Sequence, residues 1–268
     1  MGDDIGVFTQ KDERLKRLIE NIPKMTYGKD YTKAEHRSYK GHININELNT
    51  IAAQHYPLCM QEMHHHLTTK HHLRHYARIQ YGAFLKGMGL SLEEAKTFFK
   101  REFSKGDPKK LNEYMYYIEH LYGAKGKKTT YSAWGCNKMQ TQNAPSSDEC
   151  HGCPYQYYGE ATLKQALQRT KKLSFEQIDE VLMVLKDKSK GKDKNPSDAC
   201  RRYFYLTHPE ANKAENIGRH PNGFVDQSMY YKKNPDRKDQ RVGTKMEPET
   251  GGQLNNLHTT HTDMIPEQ

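Results

Sequence analysis

Five cysteines, Cys59, Cys136, Cys150, Cys153 and Cys200, follow one another at intervals of 77, 14, 3 and 47 residues. Thiolates are soft metal ligands, and an odd set with no apolar leader suits an intracellular metal binder better than a disulfide framework. Zinc fingers and ribbons bring their ligands in two close pairs, and only Cys150-His151-Gly152-Cys153 is close here. Bacterial ferredoxins cluster their cysteines tightly, so that pattern fails too. Spacing leaves two readings open: unrelated buried thiols, or one centre tying remote segments together.

A second group of residues suits a polyanion. Residues 63–92 hold no Asp or Glu but include Lys70, Arg74, Arg78, Lys86 and the histidines His64, His65, His66, His71, His72 and His75. On one continuous helix His71, Arg74, His75 and Arg78 share a face, which Gly82 and Lys86 extend. Arginine offers bidentate bonds to phosphate and histidine adds donors. The alternatives are a solvated helix face or, for a pair such as His71 and His75, a transition-metal chelate. The missing carboxylates favour phosphate. Tyr81, Tyr114, Tyr116 and Tyr117 are candidates for stacking on bases; packing in the core is the other reading for each.

These residues must be positioned by helices. Apolar residues recur at helical spacing and predict helices near 12–22, 46–69, 71–89, 91–104, 109–121, 160–171, 174–187 and 196–207. Ser91-Leu92-Glu93-Glu94 and Ser174-Phe175-Glu176-Gln177 read as capping boxes. No alternating strand pattern, internal repeat or heptad is evident, so the expected fold is mainly α. The chain has 268 residues, 42 Lys plus Arg against 33 Asp plus Glu, and only 34% hydrophobic residues. Mean hydropathy is −1.04. From Gln227 onward the chain is polar and charge-balanced, which predicts a disordered tail and places the net +9 on residues 1–226. No apolar run approaches the roughly 18 residues of a membrane span, which argues against a membrane protein.

The words around the cysteines are more specific. They run from His55-Tyr56-Pro57-Leu58-Cys59-Met60 through Lys70-His71-His72-Leu73-Arg74-His75-Tyr76-Ala77-Arg78 to Trp134-Gly135-Cys136. His151-Gly152-Cys153-Pro154-Tyr155, Ala199-Cys200 and Arg219-His220-Pro221-Asn222 complete the series. In this order, over residues from about 12 to 226, the chain resembles the iron–sulfur domain of the large subunit of archaeal and eukaryotic DNA primase. The resemblance implies two helical lobes bridged by a 4Fe–4S cluster, with irregular loops, and gives Cys59, Cys136, Cys153 and Cys200 as its ligands. Cys150 matches no ligand position and reads as a spare thiol. His72, Arg74, His75, Arg78 and Lys86 match positions that grip the 5′-triphosphate end of an RNA primer and the adjoining template. Tyr81, Tyr114 and Tyr116 match tyrosines lying between cluster and nucleic acid. Tyr117, Glu119 and Phe99 depart from the family's asparagine, arginine and tryptophan.

Polymerase chemistry needs close carboxylates for two metal ions, and the chain has no Asp-x-Asp, no Walker loop and no Gly-x-Gly-x-x-Gly. The resemblance accordingly implies a noncatalytic domain that binds template DNA and the primer's 5′ end. Nucleotidyl transfer would belong to the small catalytic subunit as partner, in company with DNA polymerase alpha, in the nucleus of a eukaryote. The large subunit normally carries a longer N-terminal helical domain, so the chain reads as either a fragment or a short form. The rival readings are an iron–sulfur DNA repair enzyme and a zinc-stabilised nucleic-acid-binding module.

Overall fold

A computed structural model describes residues 43–191, 193–211, 214 and 217–233. The expected helix at 12–22 and the polar segment from residue 234 lie outside the described residues. Where one helix was expected over 46–69 there are two, α1 (Leu48–His55) and α2 (Leu58–Lys70). Pro57 lacks an N–H and forces its predecessor out of helical geometry, and Tyr56 is accordingly extended (φ −75°, ψ 144°).

The next break corrects the expected helix at 71–89. His71 caps α2 in the left-handed region (φ 52°), and Arg74 is the extended N-cap of α3 (His75–Gly87). His71 and Arg74 therefore do not share the face of α3, which keeps His75, Arg78, Gly82 and Lys86 of the proposed stripe. α4 (Leu92–Phe103) starts at the anticipated capping box, with Ser91 and Glu94 bonded reciprocally. A 3₁₀ turn at Pro108–Lys110 leads into α5 (Leu111–Leu121). The short helices α6 (Cys136–Thr141) and α7 (Pro154–Tyr157) were not expected from periodicity. α8 (Glu160–Arg169), α9 (Phe175–Leu185) and α10 (Pro196–Thr207) fall where they were expected, and Ser174 and Gln177 form the second capping box. The described residues contain no strand, and none of their helices is long and apolar enough to cross a membrane.

Two apolar cores result. One gathers Leu48, Met60, Leu67, Ala77, Phe84, Phe98, Phe99 and Phe103 from α1–α4. The other gathers Leu163, Leu167, Ile178, Val181, Leu185, Tyr203 and Phe204 from α8–α10. The final described helix, α11 (Pro221–Lys233), serves both: Val225 and Met229 enter the first, Phe224 and Tyr231 the second.

The expected boundary at 226 thus needs moving, because Gln227, Ser228, Met229 and Tyr231 are buried in this helix. Ser228 and the Asn222 amide nitrogen are there because they are hydrogen-bonded. Ser228 Oγ lies 2.9 Å from His55 Nδ1 and 2.7 Å from His208 Nε2, and Asn222 donates to the Phe84 carbonyl at 2.9 Å. Composition reads such residues as solvent-facing; a satisfied buried network is the exception it misses.

His64 generates a pH prediction. Its ring sits between the Tyr81 hydroxyl at 2.6 Å and Asn49 Oδ1 at 2.9 Å, and burial pulls its pKa from 6.5 down to about 4. His55 is also lowered to about 4, by burial and then by Lys232, Lys172 and His208. Between those values the unfolded chain binds the extra protons, so stability is full above pH 6.5 and falls as the pH drops toward 4. His64 alone supplies up to about 3 kcal/mol of that loss. Anaerobic urea unfolding at pH 7.5 and pH 5 should show it, and His64→Gln should flatten the slope.

Candidate cysteine centre and cationic helix mouth

Cys59, Cys136, Cys153 and Cys200 line one cavity of about 370 Å³, partly open to solvent, at the seam between the two cores. Cys59 and Cys136 pack with the first core, Cys153 and Cys200 with the second. Cys150 is buried against the first core and does not line the cavity.

Local structure fixes each thiol. Cys59 lies in the first turn of α2, Cys136 opens α6, Cys153 is the N-cap of α7, and Cys200 sits within α10. Pro221, at the start of α11, also lines the cavity. The long helices α2 and α11 thus begin at this space, and their positive ends favour anionic sulfur. The loop before Cys153 is held by Gln80 of α3, whose Oε1 accepts from Gly152 N at 2.7 Å and whose Nε2 donates to Gly152 O at 3.3 Å. Gly152 has φ +80°, and a Cβ there would come within 2.9 Å of the Tyr157 ring. Beside Cys200, Gly218 has φ +76°, and a Cβ would meet the Ser197 carbonyl at 2.5 Å.

The donor set suits a metal centre. Burial pushes the Cys59 and Cys136 thiols far up, and each also feels Cys153 and Cys200. Burial raises Cys200 as well, with Cys153 adding to it, and takes Cys153 to about 11. Such thiols ionise when a cationic centre compensates them. Four soft sulfurs fit zinc or iron–sulfur by type. However, no three His, Cys, Asp or Glu among the described residues gather as ligands of one metal ion. Four thiols around one cavity fit a thiolate-held metal centre by type, with Cys59, Cys136, Cys153 and Cys200 as the residues that would hold it.

The cationic residues lie around the start of α3. Arg74 is exposed and ion-paired with Asp148, and its side chain makes no cap bond. His72 lies 3.3 Å from the Tyr114 hydroxyl; its pKa is lowered by burial, then by Arg78, Lys110 and Arg74. Arg78 is 7% exposed, donates to the Leu73 carbonyl at 2.6 Å, and lies 4.3 Å over the Tyr114 ring and 5.2 Å over Tyr117. Its Nε has no partner. His75 and Arg78 line a cleft of about 300 Å³ with Tyr117, Ile118 and His120 of α5.

Other candidates go elsewhere. Tyr81 is a correction: it is fully buried and bonded to His64, so no base can stack on it in this fold. Tyr114 is 3% exposed and acts from beneath Arg78, whereas Tyr116 is 48% exposed and stacks on His120. Lys86 donates to the Leu121 and Tyr131 carbonyls at 3.1 and 2.9 Å. Gly82 admits α5 rather than a ligand, since a Cβ there would strike Leu121 at 2.7 Å. His71 faces Glu102 at 3.4 Å, away from Arg74's partner. Of the departing residues, Phe99 is core and Glu119 pairs with Lys96 at 3.3 Å. Sequence reasoning missed Gln80, Gly218, Lys110 and Asp148, for which no local motif gives a signal.

Residues 49–225 match the family model for the C-terminal domain of the eukaryotic and archaeal DNA primase large subunit. The chain belongs to this family. It is 36% identical over 223 residues to the human DNA primase large subunit and 35% identical to the mouse protein, each match covering 82% of this chain and 42% of the relative. The Drosophila melanogaster large subunit is 34% identical over 222 residues, covering 82% and 39%. The chain thus spans less than half the length of these primase subunits. The matched region runs from α1 to the first half of α11 and contains all four cavity cysteines and the start of α3.

Replacing Gly152 with Ala should destabilise the primase domain by about 1–3 kcal/mol, because a side chain is forced into a left-handed conformation against Tyr157. Anaerobic thermal unfolding checks this.

Proposed function

We propose that this chain is a noncatalytic primase large-subunit domain that binds template DNA and the 5′-triphosphate end of the RNA primer. The observation that carries the reading is the cationic mouth of α3. There Arg74, His75 and Arg78 stand with His72 at a helix N-terminus whose N-cap side chain makes no cap bond. Burial lowers the pKa of His72 first, and Arg78, Lys110 and Arg74 lower it further. Helix N-termini and arginines are the two standard ways of holding phosphate. Tyr116, exposed one helix away on α5, is the aromatic partner suited to a base.

In this reading a 4Fe–4S cluster sits on Cys59, Cys136, Cys153 and Cys200; bound, it supplies one-electron chemistry and a covalent link between the lobes. This chain's own part is to bind and orient. Arg74 releases Asp148 and reaches a phosphate, while Arg78, fixed under Leu73 and over Tyr114, contributes a preset positive charge. Nucleotidyl transfer belongs to the catalytic small subunit, with DNA polymerase alpha as the further partner and the nucleus as the compartment in a eukaryote.

Anaerobic purification should give four iron and four sulfide per chain. Cys59→Ser, Cys136→Ser, Cys153→Ser or Cys200→Ser should each lose them, and Cys150→Ser should not. Stoichiometric zinc in their place would overturn the cluster. A recessed primer–template duplex should bind more tightly with a 5′-triphosphate than with a 5′-hydroxyl; equal affinities in fluorescence anisotropy would overturn the grip. Arg74→Ala should weaken the triphosphate duplex by about 1.5–3 kcal/mol. Asp148→Asn frees Arg74 from a competitor and should tighten it by up to about 1 kcal/mol.

A further inference from the structure

Among the described residues, Tyr155 is the one lining the cysteine cavity whose buried hydroxyl has no hydrogen-bond partner. It is 2% exposed, so water does not satisfy it, and no cysteine sulfur lies within bonding reach. The side chain is fixed by its place: Tyr155 belongs to α7, just after the Cys153 N-cap, and packs in the second core with Leu58 and Tyr203. Its phenol lies within the electrostatic reach of Cys200, Cys153 and Cys59, three of the four cavity thiols. A buried donor left unmade is rare in folded proteins and calls for an acceptor. The four cysteine sulfurs line this space together with Met139, Gln140 and His220, and none of these groups bonds the Tyr155 hydroxyl.

We propose that Tyr155 is a positioning residue that donates its hydroxyl proton in a hydrogen bond to a sulfur of the bound cluster and thereby sets its reduction potential. This rests on the cluster reading above. No bond is made or broken: the proton stays on the phenol and lies closer to sulfur as negative charge accumulates there. Because the reduced cluster carries one more negative charge, the bond stabilises the reduced form more than the oxidised form. Phenylalanine keeps the ring and its packing while deleting only the donor, which separates this role from a structural one.

The test is Tyr155→Phe beside the unsubstituted chain, both purified anaerobically, with iron and sulfide counted before potentials are measured. With both fully loaded, the variant's midpoint should fall. The reduced-to-oxidised ratio at a fixed potential should change by up to about tenfold, equivalent to 59 mV for one electron. Iron–sulfur stretching bands in the resonance Raman spectrum should also show a smaller shift in deuterium oxide than those of the unsubstituted chain. Equal potentials and equal isotope shifts at full loading would overturn the role of Tyr155 while leaving the cluster in place. Absence of iron from the unsubstituted chain would instead overturn the cluster reading itself. If the variant loads only in part, the isotope shift of its loaded fraction decides: a shift equal to that of the unsubstituted chain overturns the proposal.

Discussion

Four thiols, successive ones up to 77 residues apart, meet where two small apolar cores abut. Everything nearby answers to that convergence. Each core is built from helices too short to be stable alone, and the seam between them is closed by α11 and by the cavity. Placing four ionisable sulfurs in such a seam is unfavourable unless something positive compensates them, because burial alone drives every one of these thiols toward its neutral form. The starts of α2 and α11 contribute part of that compensation, and in the proposed reading a metal centre supplies the rest. The left-handed glycines at 152 and 218 are costs of the same arrangement, since the backbone passes too close to Tyr157 and Ser197 for a side chain.

The cationic mouth is bolted to this centre through α3 and the loop ahead of Cys153. Gln80, just over one turn after Arg74 and His75, grips Gly152 with both ends of its amide. Closer to the mouth, Tyr76 lies 5.3 Å from the His151 ring, and Arg74 pairs with Asp148 of the same loop. Three contacts thus join one loop to the first two turns of one helix. These contacts place the loop ahead of Cys153 in one packed unit with the residues proposed to face an anion.

Much of the helical plan was legible. Both capping boxes and the spans of α8, α9 and α10 could be read because polar signals of a few residues decide where those helices start. The breaks at Tyr56–Pro57 and at His71–Arg74 were missed: a run of helix-compatible residues conceals one proline and one left-handed histidine. The cysteine set was readable from surrounding words and not from spacing, since intervals of 77 and 47 residues carry no geometry. Two further failures have the same cause. The absence of carboxylates over 63–92 was true locally, yet Asp148 and Glu102 arrive through tertiary structure. Tyr81 and Ser228 look like surface groups until His64, His55 and His208 are seen to satisfy them.

The two arginines of the mouth divide one task in a way that their common charge conceals. Arg74 is solvated and its exposed ion pair with Asp148 is weak, so exchanging that carboxylate for a more highly charged phosphate costs little. It can reach and let go. Arg78 has already lost its freedom: its guanidinium is enclosed by the Leu73 carbonyl and the Tyr114 and Tyr117 rings, and its Nε is left without a partner. The entropy of ordering it was spent on folding, so its field is present before any ligand arrives. In the proposed reading, an exposed cation in front of a fixed one suits the capture of a highly charged strand end and its retention in one orientation. Two mobile lysines would supply the same charge without the orientation, because a flexible ammonium carries neither the planar fork nor the stacking on tyrosine that holds Arg78 in place.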